Sequence, residues 1–429
     1  MISDALPVCG WLRSGPAGKY MQDFFKVVDI RTVYGHLQSF APVDTEVVAT
    51  HRSTGRVLAE PVHAAEDLPG FSRSTMDGYA VRAASTFGSS EANPAYLMVM
   101  GTVPMGTIPA ITVGPGEAVK IATGGMLPTG ADAVVMVEHT EEVDDTTIEV
   151  YKSVAPGQHV IMAGEDYPAG TTVLRAGQKI RAQETGLLAA VGRESTTVYR
   201  QPVITIISTG DEIIPTTQIP GPGQVRDINS YSLAGMVAET GCRPLQLGIV
   251  QDSFEDLQQT CRAALAQSDM VILSGGSSVG TRDFTIQVIN SLPESELLVH
   301  GISISPGKPT ILASVDGKPV WGLPGHVVSA MVVFEKIVKP FINRIHGLAD
   351  PFPRSRGIPA RLARNVPSAQ GRVDFIRVRL VQDNGALLAE PLLGKSGLIN
   401  TMVQADGLIE IDSDTEGLDK DAPVSVMLI

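Results

Sequence analysis

Residues Ile272–Phe284 read I-L-S-G-G-S-S-V-G-T-R-D-F. An apolar run stops, the segment Ser274–Gly280 holds nothing but Gly, Ser and Val, and Arg282-Asp283 follow. In open α/β sheets, ligands bind at the carboxyl ends of the strands. Glycines let backbone N–H groups approach a ligand closely, and serines add hydroxyl donors. Ser274, Gly275, Gly276, Ser277, Ser278 and Gly280 are therefore candidates for a phosphate cradle. Asp283 then stands at its rim, where a carboxylate can hold a divalent cation against phosphates. Many Gly-Ser loops only turn the chain, and that reading stays open. The pattern is neither G-x-x-x-x-G-K-[ST] nor G-x-G-x-x-G, so ordinary nucleoside-triphosphatase and dinucleotide sites lack their fingerprints.

On either side of this loop the text alternates between strand and helix. Val203–Ser208, Leu245–Val250, Met270–Leu273 and Leu297–Ile304 read as strands. Ser230–Thr240, the run capped by Ser253 and the run Val327–Ile345 read as helices, the second with the stripe Leu257, Cys261 and Leu265. This alternation predicts a largely parallel sheet covered on both faces. Leu68–Val154 reads instead as short β runs broken by Gly and Pro, among them Ala118–Ala122 and Ala133–Val137. Asp29–Phe40 predicts a helix capped by Asp29, with Ile30, Val33 and Leu37 at helical spacing. Beyond Pro351 short strands return, and Asp383-Asn384-Gly385 supplies a hairpin-type turn.

Other strand ends carry similar chemistry. Val203–Ser208 runs into S-T-G-D-E, which places Asp211 and Glu212 past a glycine, and Asp252 follows Val250. Together they outline an acidic rim suited to Mg²⁺, although Asp252 also suits a helix cap. Lys308 sits between Pro306 and Pro309 in S-P-G-K-P-T, so its backbone is restricted and its ammonium suits an oxyanion. A lysine in a tight surface turn is the plainer reading. G-L-P-G-H-V-V-S-A-M then opens the long helix, with Ser329 in its first turn and free N–H groups expected there.

The chain has 429 residues, enough for roughly two to four domains. A net charge of -13 argues against a nucleic-acid footprint, which needs a basic face. The three cysteines, Cys9, Cys242 and Cys261, form no C-x-x-C, which fits a reducing cytoplasm, and Cys261 reads as a small core residue. No run reaches the ~18 apolar residues of a membrane span, so no membrane partner is expected. Residues 1–20 lack a signal-peptide core and read as a flexible extension.

With these stretches assembled, the chain resembles the molybdopterin molybdenumtransferase family, the bacterial counterparts of the gephyrin C-terminal domain. The matching segments are D-L-P-G-F-S-R-S-T-M-D-G-Y-A-V-R (67–82), I-A-T-G-G-M-L-P-T-G-A-D-A-V-V (121–135), A-G-E-D (163–166) and I-S-T-G-D-E-I (207–213). S-G-G-S-S-V-G-T-R-D-F (274–284), P-G-K-P (306–309), G-L-P-G (322–325), G-R-V-D-F-I-R (371–377) and L-G-K-S-G (393–397) complete the set. The resemblance implies an α/β plus β multidomain chain: a central Rossmann-like α/β domain with a mostly parallel sheet, a β-rich second domain and a small C-terminal β-barrel-like domain. The expected segments are 1–20 as the extension, 21–67 with 155–200 as a discontinuous linker and dimerisation domain, 68–154 carrying M-D-G-Y-A, 201–348 as the α/β molybdopterin-binding domain, and 349–429.

It further implies a homodimer in which the α/β domain of one subunit faces the M-D-G-Y-A domain of the other. The implied substrates are adenylylated molybdopterin and molybdate, with Mg²⁺ assisting hydrolysis of the phosphoanhydride and release of AMP. By motif, Asp77, Thr123, Asp166, Glu212, Asp252 and Asp283 match the family's functional polar positions, with Glu212 and Asp283 as metal ligands. Lys308, Ser329, Arg372 and Ser396 match its molybdate-binding positions. By composition alone, Asp77-Gly78 reads as a turn. Two departures stand out. Ser305 replaces a lysine common before P-G-K-P, and His326-Val327 replace the Asn-Pro of G-L-P-G-N-P. Either Arg282 or His300 is available to offset the lost charge. Rival functions are a molybdopterin adenylyltransferase, a tungstate-inserting paralogue and a non-catalytic scaffold. The adenylyltransferase of the same pathway and molybdoenzyme apoproteins are the expected protein partners.

Overall fold

The structure is a computed structural model that describes residues 27–275, 279–352, 357–383 and 385–429, with only the backbone of 279–283. The 1–20 extension and Gly276, Ser277 and Ser278 lie outside the described residues, as does the Asp283 side chain. The chain divides into two compact units. One comprises the residues up to Val43, Gln201–His346 and Asp350–Ile429; the other comprises Asp44–Arg200 with Gly347–Ala349.

The first unit is built on the alternating segment. Its six-stranded sheet runs Arg243–Val250, Val203–Thr209, Met270–Gly275, Lys318–Leu323, Ile311–Val315, Ser295–His300. The first four strands are mutually parallel. Alternate residues of each strand serve opposite faces. Met270 and Ile272 join the core with Trp321 and Phe341, while Val271 and Leu273 pack with Leu257, Cys261 and Val288. Both faces are dry, which is why these strands read as continuous apolar runs. Cys261 is a core residue as expected, and burial pushes its thiol up to about 12.

Two departures from the expected alternation have local causes. The antiparallel strand Ile311–Val315 arises from a hairpin at Asp316-Gly317, where both residues have positive φ. That is the signature of a two-residue type I′ turn, and the Asp-Gly pair was legible. The long helix expected over Val327–Ile345 is interrupted: Val327–Val333 and Lys339–Ile345 are α-helical, and Phe334–Val338 is a π turn. Pro340 has no N–H to give to the carbonyl four residues back. That carbonyl, of Lys336, instead accepts from the Tyr34 hydroxyl at 2.7 Å. Asp29 caps its helix as expected, accepting from the Thr32 N–H at 2.7 Å. Val33, Leu37 and Phe40 then pack into the same core as Trp321.

The C-terminal strands Val373–Asp383, Ala386–Pro391, Ile358–Leu362, Pro423–Leu428 and Gly407–Ile411 close into a five-stranded barrel. Val373–Asp383 is two-faced. Ile376, Val378 and Leu380 face the barrel core, while Val373 and Phe375 join the core of the α/β sheet. The short strand Ile304–Ser305 pairs with Val373-Asp374 and continues the sheet. This pairing brings the P-G-K-P loop beside G-R-V-D-F-I-R.

The second unit holds a six-stranded sheet in the order Ala133–Met136, Gly78–Val81, Glu117–Ile121, Ala95–Thr102, Thr147–Val150, Thr140–Asp144. Residues 45–64 and 172–199 share a separate small core of Leu58, Val62, Leu174, Leu188 and Val198. Among the described residues, no helix is long and apolar enough to cross a membrane.

Candidate active site

Gly275 shows why the loop after Met270–Gly275 begins with glycine. Its φ is +155°, and a Cβ there would sit 2.0 Å from the Thr209 carbonyl oxygen. The two strand ends approach too closely for any side chain. Ser274 corrects the expectation that its hydroxyl faces substrate. It is fully buried, and its Oγ accepts from Asn229 Nδ2 at 2.7 Å. The same Asn229 amide donates to the Gly325 carbonyl at 2.9 Å. Asn229 thus ties the glycine-serine loop to the G-L-P-G loop, a role its isolated position in the sequence did not reveal.

The carboxylates past the other strand ends do gather. The Asp252 N–H donates to Asp211 Oδ1 at 3.1 Å. Burial raises the Asp252 carboxyl above its usual range, and the charges of Asp211 and Glu212 raise it further. It is Ser253 that caps the following helix, accepting from the Asp256 N–H. Asp252 is therefore released from the capping role. Among the described residues, no group of three or more His, Cys, Asp or Glu is arranged to hold a metal.

A cavity of about 810 Å³ lies between the P-G-K-P loop, the start of Val327–Val333 and the G-R-V-D-F-I-R and L-G-K-S-G segments. Lys308, Ser329, Arg372 and Ser396 all line it. The Lys308 carbonyl accepts from the Ile302 and Thr310 N–H groups, each at 2.9 Å, so the lysine stands on a fixed backbone. Gly307 before it has φ +118°, and a Cβ there would be 2.3 Å from Val333 Cγ2. Arg372 Nε lies 3.1 Å from Asp374 Oδ1. Asp374 is buried and also accepts from the Ser368 hydroxyl at 2.6 Å. The pair aims the guanidinium while leaving it half-exposed toward the cavity.

Two further residues belong here. Arg377 lines the cavity and is buried, and desolvation lowers its pKa. Its guanidinium donates to the Gly394 and Leu392 carbonyls, while Nε has no hydrogen-bond partner among the described residues. The arginine sits on the strand Val373–Asp383, and its burial was not legible in its residue type. His326 also lines the cavity, with Nδ1 2.8 Å from Ser396 Oγ. Of the N–H groups expected to be free in the first turn of the long helix, that of Val328 donates to the Ser396 carbonyl.

In the other unit, the side chains of Asp77 and Thr123 meet. Asp77 Oδ1 accepts from the Thr123 N–H at 2.6 Å and the Thr123 hydroxyl at 2.9 Å. These bonds hold the Asp77 carboxyl below its ordinary range, the backbone bond contributing most. Asp77-Gly78 is not a turn: Gly78 opens the strand Gly78–Val81, and a Cβ on it would lie 1.9 Å from the Val135 carbonyl oxygen. Asp166 is exposed in a loop of the same unit, its N–H bonded to the Leu68 carbonyl. Thr123→Val keeps the backbone donor and removes the hydroxyl, so the Asp77 pKa is expected to rise part of the way to its ordinary range. A carboxyl-carbon NMR titration reads this; an unmoved Asp77 would refute the hydroxyl's share.

Comparison with known proteins gives three family matches. Residues 28–192 match the MoeA N-terminal region (domain I and II), 205–344 a probable molybdopterin binding domain, and 359–429 the MoeA C-terminal region (domain IV). A molybdopterin molybdenumtransferase of Bacillus subtilis is 33% identical over 390 residues, covering 90% of each chain. One from Nostoc is 38% identical over 309 residues, covering 71% of this chain and 70% of its own. The crystal structure of a Pyrococcus horikoshii molybdopterin biosynthesis MoeA protein superposes with a TM-score of 0.78 at 32% identity, covering 94% of this chain and all of that one.

Proposed function

The chain belongs to the MoeA family of molybdopterin molybdenumtransferases, and from that premise we propose that its 810 Å³ cavity is where molybdate waits for insertion. The protein is a transferase of molybdenum cofactor biosynthesis that inserts molybdate into molybdopterin. The observation that carries the site assignment is the convergence of Lys308, Ser329, Arg372 and Ser396, distant in sequence, on one cavity. Molybdate is a dianion. Two cations offset its charge, two hydroxyls donate to its oxygens, and Arg377 adds a third cation at the wall.

The substrate proposed for the other end of the site is adenylylated molybdopterin, held along the loop that starts at Gly275. Carboxylates are the ligands a hard divalent cation takes: burial and the negative charge of Asp211 and Glu212 raise the Asp252 carboxyl above its usual range, and a cation beside them would offset that charge. Glu212 and Asp283 would hold Mg²⁺, which supplies neutralisation of charge on the phosphoryl oxygens when bound. Gly275 lets the backbone close on the phosphate end. A homodimer is part of this reading, so activity should fall on dilution.

The test is AMP release from adenylylated molybdopterin by the purified chain with Mg²⁺, titrating molybdate and tungstate in parallel. Release stimulated by molybdate is expected. ATP consumption with unmodified molybdopterin would instead favour an adenylyltransferase, and release with neither oxyanion would leave the scaffold reading ahead.

A further inference from the structure

His326 and Ser396 are 70 residues apart in the chain, yet both line the cavity and their side chains meet. We propose that His326 is a positioning residue for the oxyanion: its ring sets the direction of the Ser396 hydroxyl. This rests on the reading of the cavity as the molybdate site.

The ring is committed to this contact. His326 occupies the N-cap of Val327–Val333 but makes no side-chain cap bond, so its nitrogens are not spent on the helix. Nδ1 is 2.8 Å from Ser396 Oγ, and the Ser396 carbonyl is pinned by the Val328 N–H at 3.0 Å. The ring also lies against the chain after Ser396: a Cβ on Gly397 would be 3.8 Å from His326 Cδ2.

The pair has two arrangements. With a proton on Nδ1, the imidazole donates to Ser396 Oγ, and the hydroxyl proton turns toward the cavity as a donor. With Nδ1 bare, Ser396 donates to it and presents lone pairs to the cavity, which a dianion avoids. A bound oxyanion therefore selects the ring with its proton on Nδ1, which leaves the Ser396 hydroxyl to donate into the cavity.

The experiment is calorimetric titration of the purified full chain with molybdate alone. Wild type, His326→Asn, His326→Ala, Ser396→Ala and the His326→Ala/Ser396→Ala double variant are compared, with Arg372→Ala alongside. His326→Asn, whose side-chain amide keeps an N–H donor, should stay within about twofold of wild type. His326→Ala should weaken binding about tenfold, and the double variant should be no weaker than Ser396→Ala, because the two side chains act as one unit. Binding by His326→Asn as weak as by His326→Ala, or additive effects in the double variant, would overturn the proposal. Undiminished binding by Arg372→Ala would instead sink the cavity assignment on which it rests.

Discussion

Arg372→Ala is expected to raise the molybdate concentration for half-maximal binding by about a hundredfold, roughly 2.7 kcal/mol. One charge-assisted contact with a dianion accounts for part of this. The rest comes from Asp374, which is buried and held by Arg372 on one side and Ser368 on the other. Without the guanidinium, its carboxylate becomes an uncompensated negative charge behind the cavity wall, the costly way to break such a pair. The Arg372 side chain is half-exposed, so the effect belongs at the lower end of the range for buried pairs. Arg372→Ala/Asp374→Asn removes the stranded charge along with the cation. It should recover about a tenth of the lost affinity or more, in calorimetry or in molybdate-dependent AMP release. A double variant no better than the single one would show that Asp374 only aims the arginine.

The second large effect concerns the fold. Gly275→Ala places a Cβ 2.0 Å from the Thr209 carbonyl oxygen and 2.4 Å from its Oγ1, at a φ that other residues rarely adopt. The parallel pair Thr209↔Gly275 must separate to admit it. A loss of about 3–5 kcal/mol in the α/β domain is expected, the range for strain and overpacking at a fixed backbone position. Trp321, fully buried in that sheet, reports the unfolding by fluorescence in urea. Gly235→Ala is the control. Gly235 is exposed within the helix Asn229–Glu239, nothing lies within 4 Å of an added Cβ, and the same change should stabilise by about 0.5–1 kcal/mol. A loss in both variants of similar size would mean that the strand ends are not constrained as described.

These cases separate what each level of description decides. Periodicity alone determined the central α/β sheet, because strands buried on both faces leave unbroken apolar runs and the helices between them keep a stripe such as Leu257, Cys261 and Leu265. The hairpin at Asp316-Gly317 is equally local, while the π turn at Phe334–Val338 follows from Pro340 only together with Tyr34, which takes the freed carbonyl. Sequence motifs also named Lys308, Ser329, Arg372 and Ser396 as one set. Their meeting in a single cavity was decided by tertiary structure, through the pairing of Ile304–Ser305 with Val373-Asp374. The same holds for contacts that no motif names: Ser274 is bonded to Asn229, Gly78 is fixed by Val135, Arg377 is buried and His326 is bonded to Ser396. A residue's type and its neighbours in the chain set what chemistry it can perform. Whether its polar atoms point at a ligand or at another part of the protein depends on contacts between segments tens to hundreds of residues apart, and no local pattern encodes those.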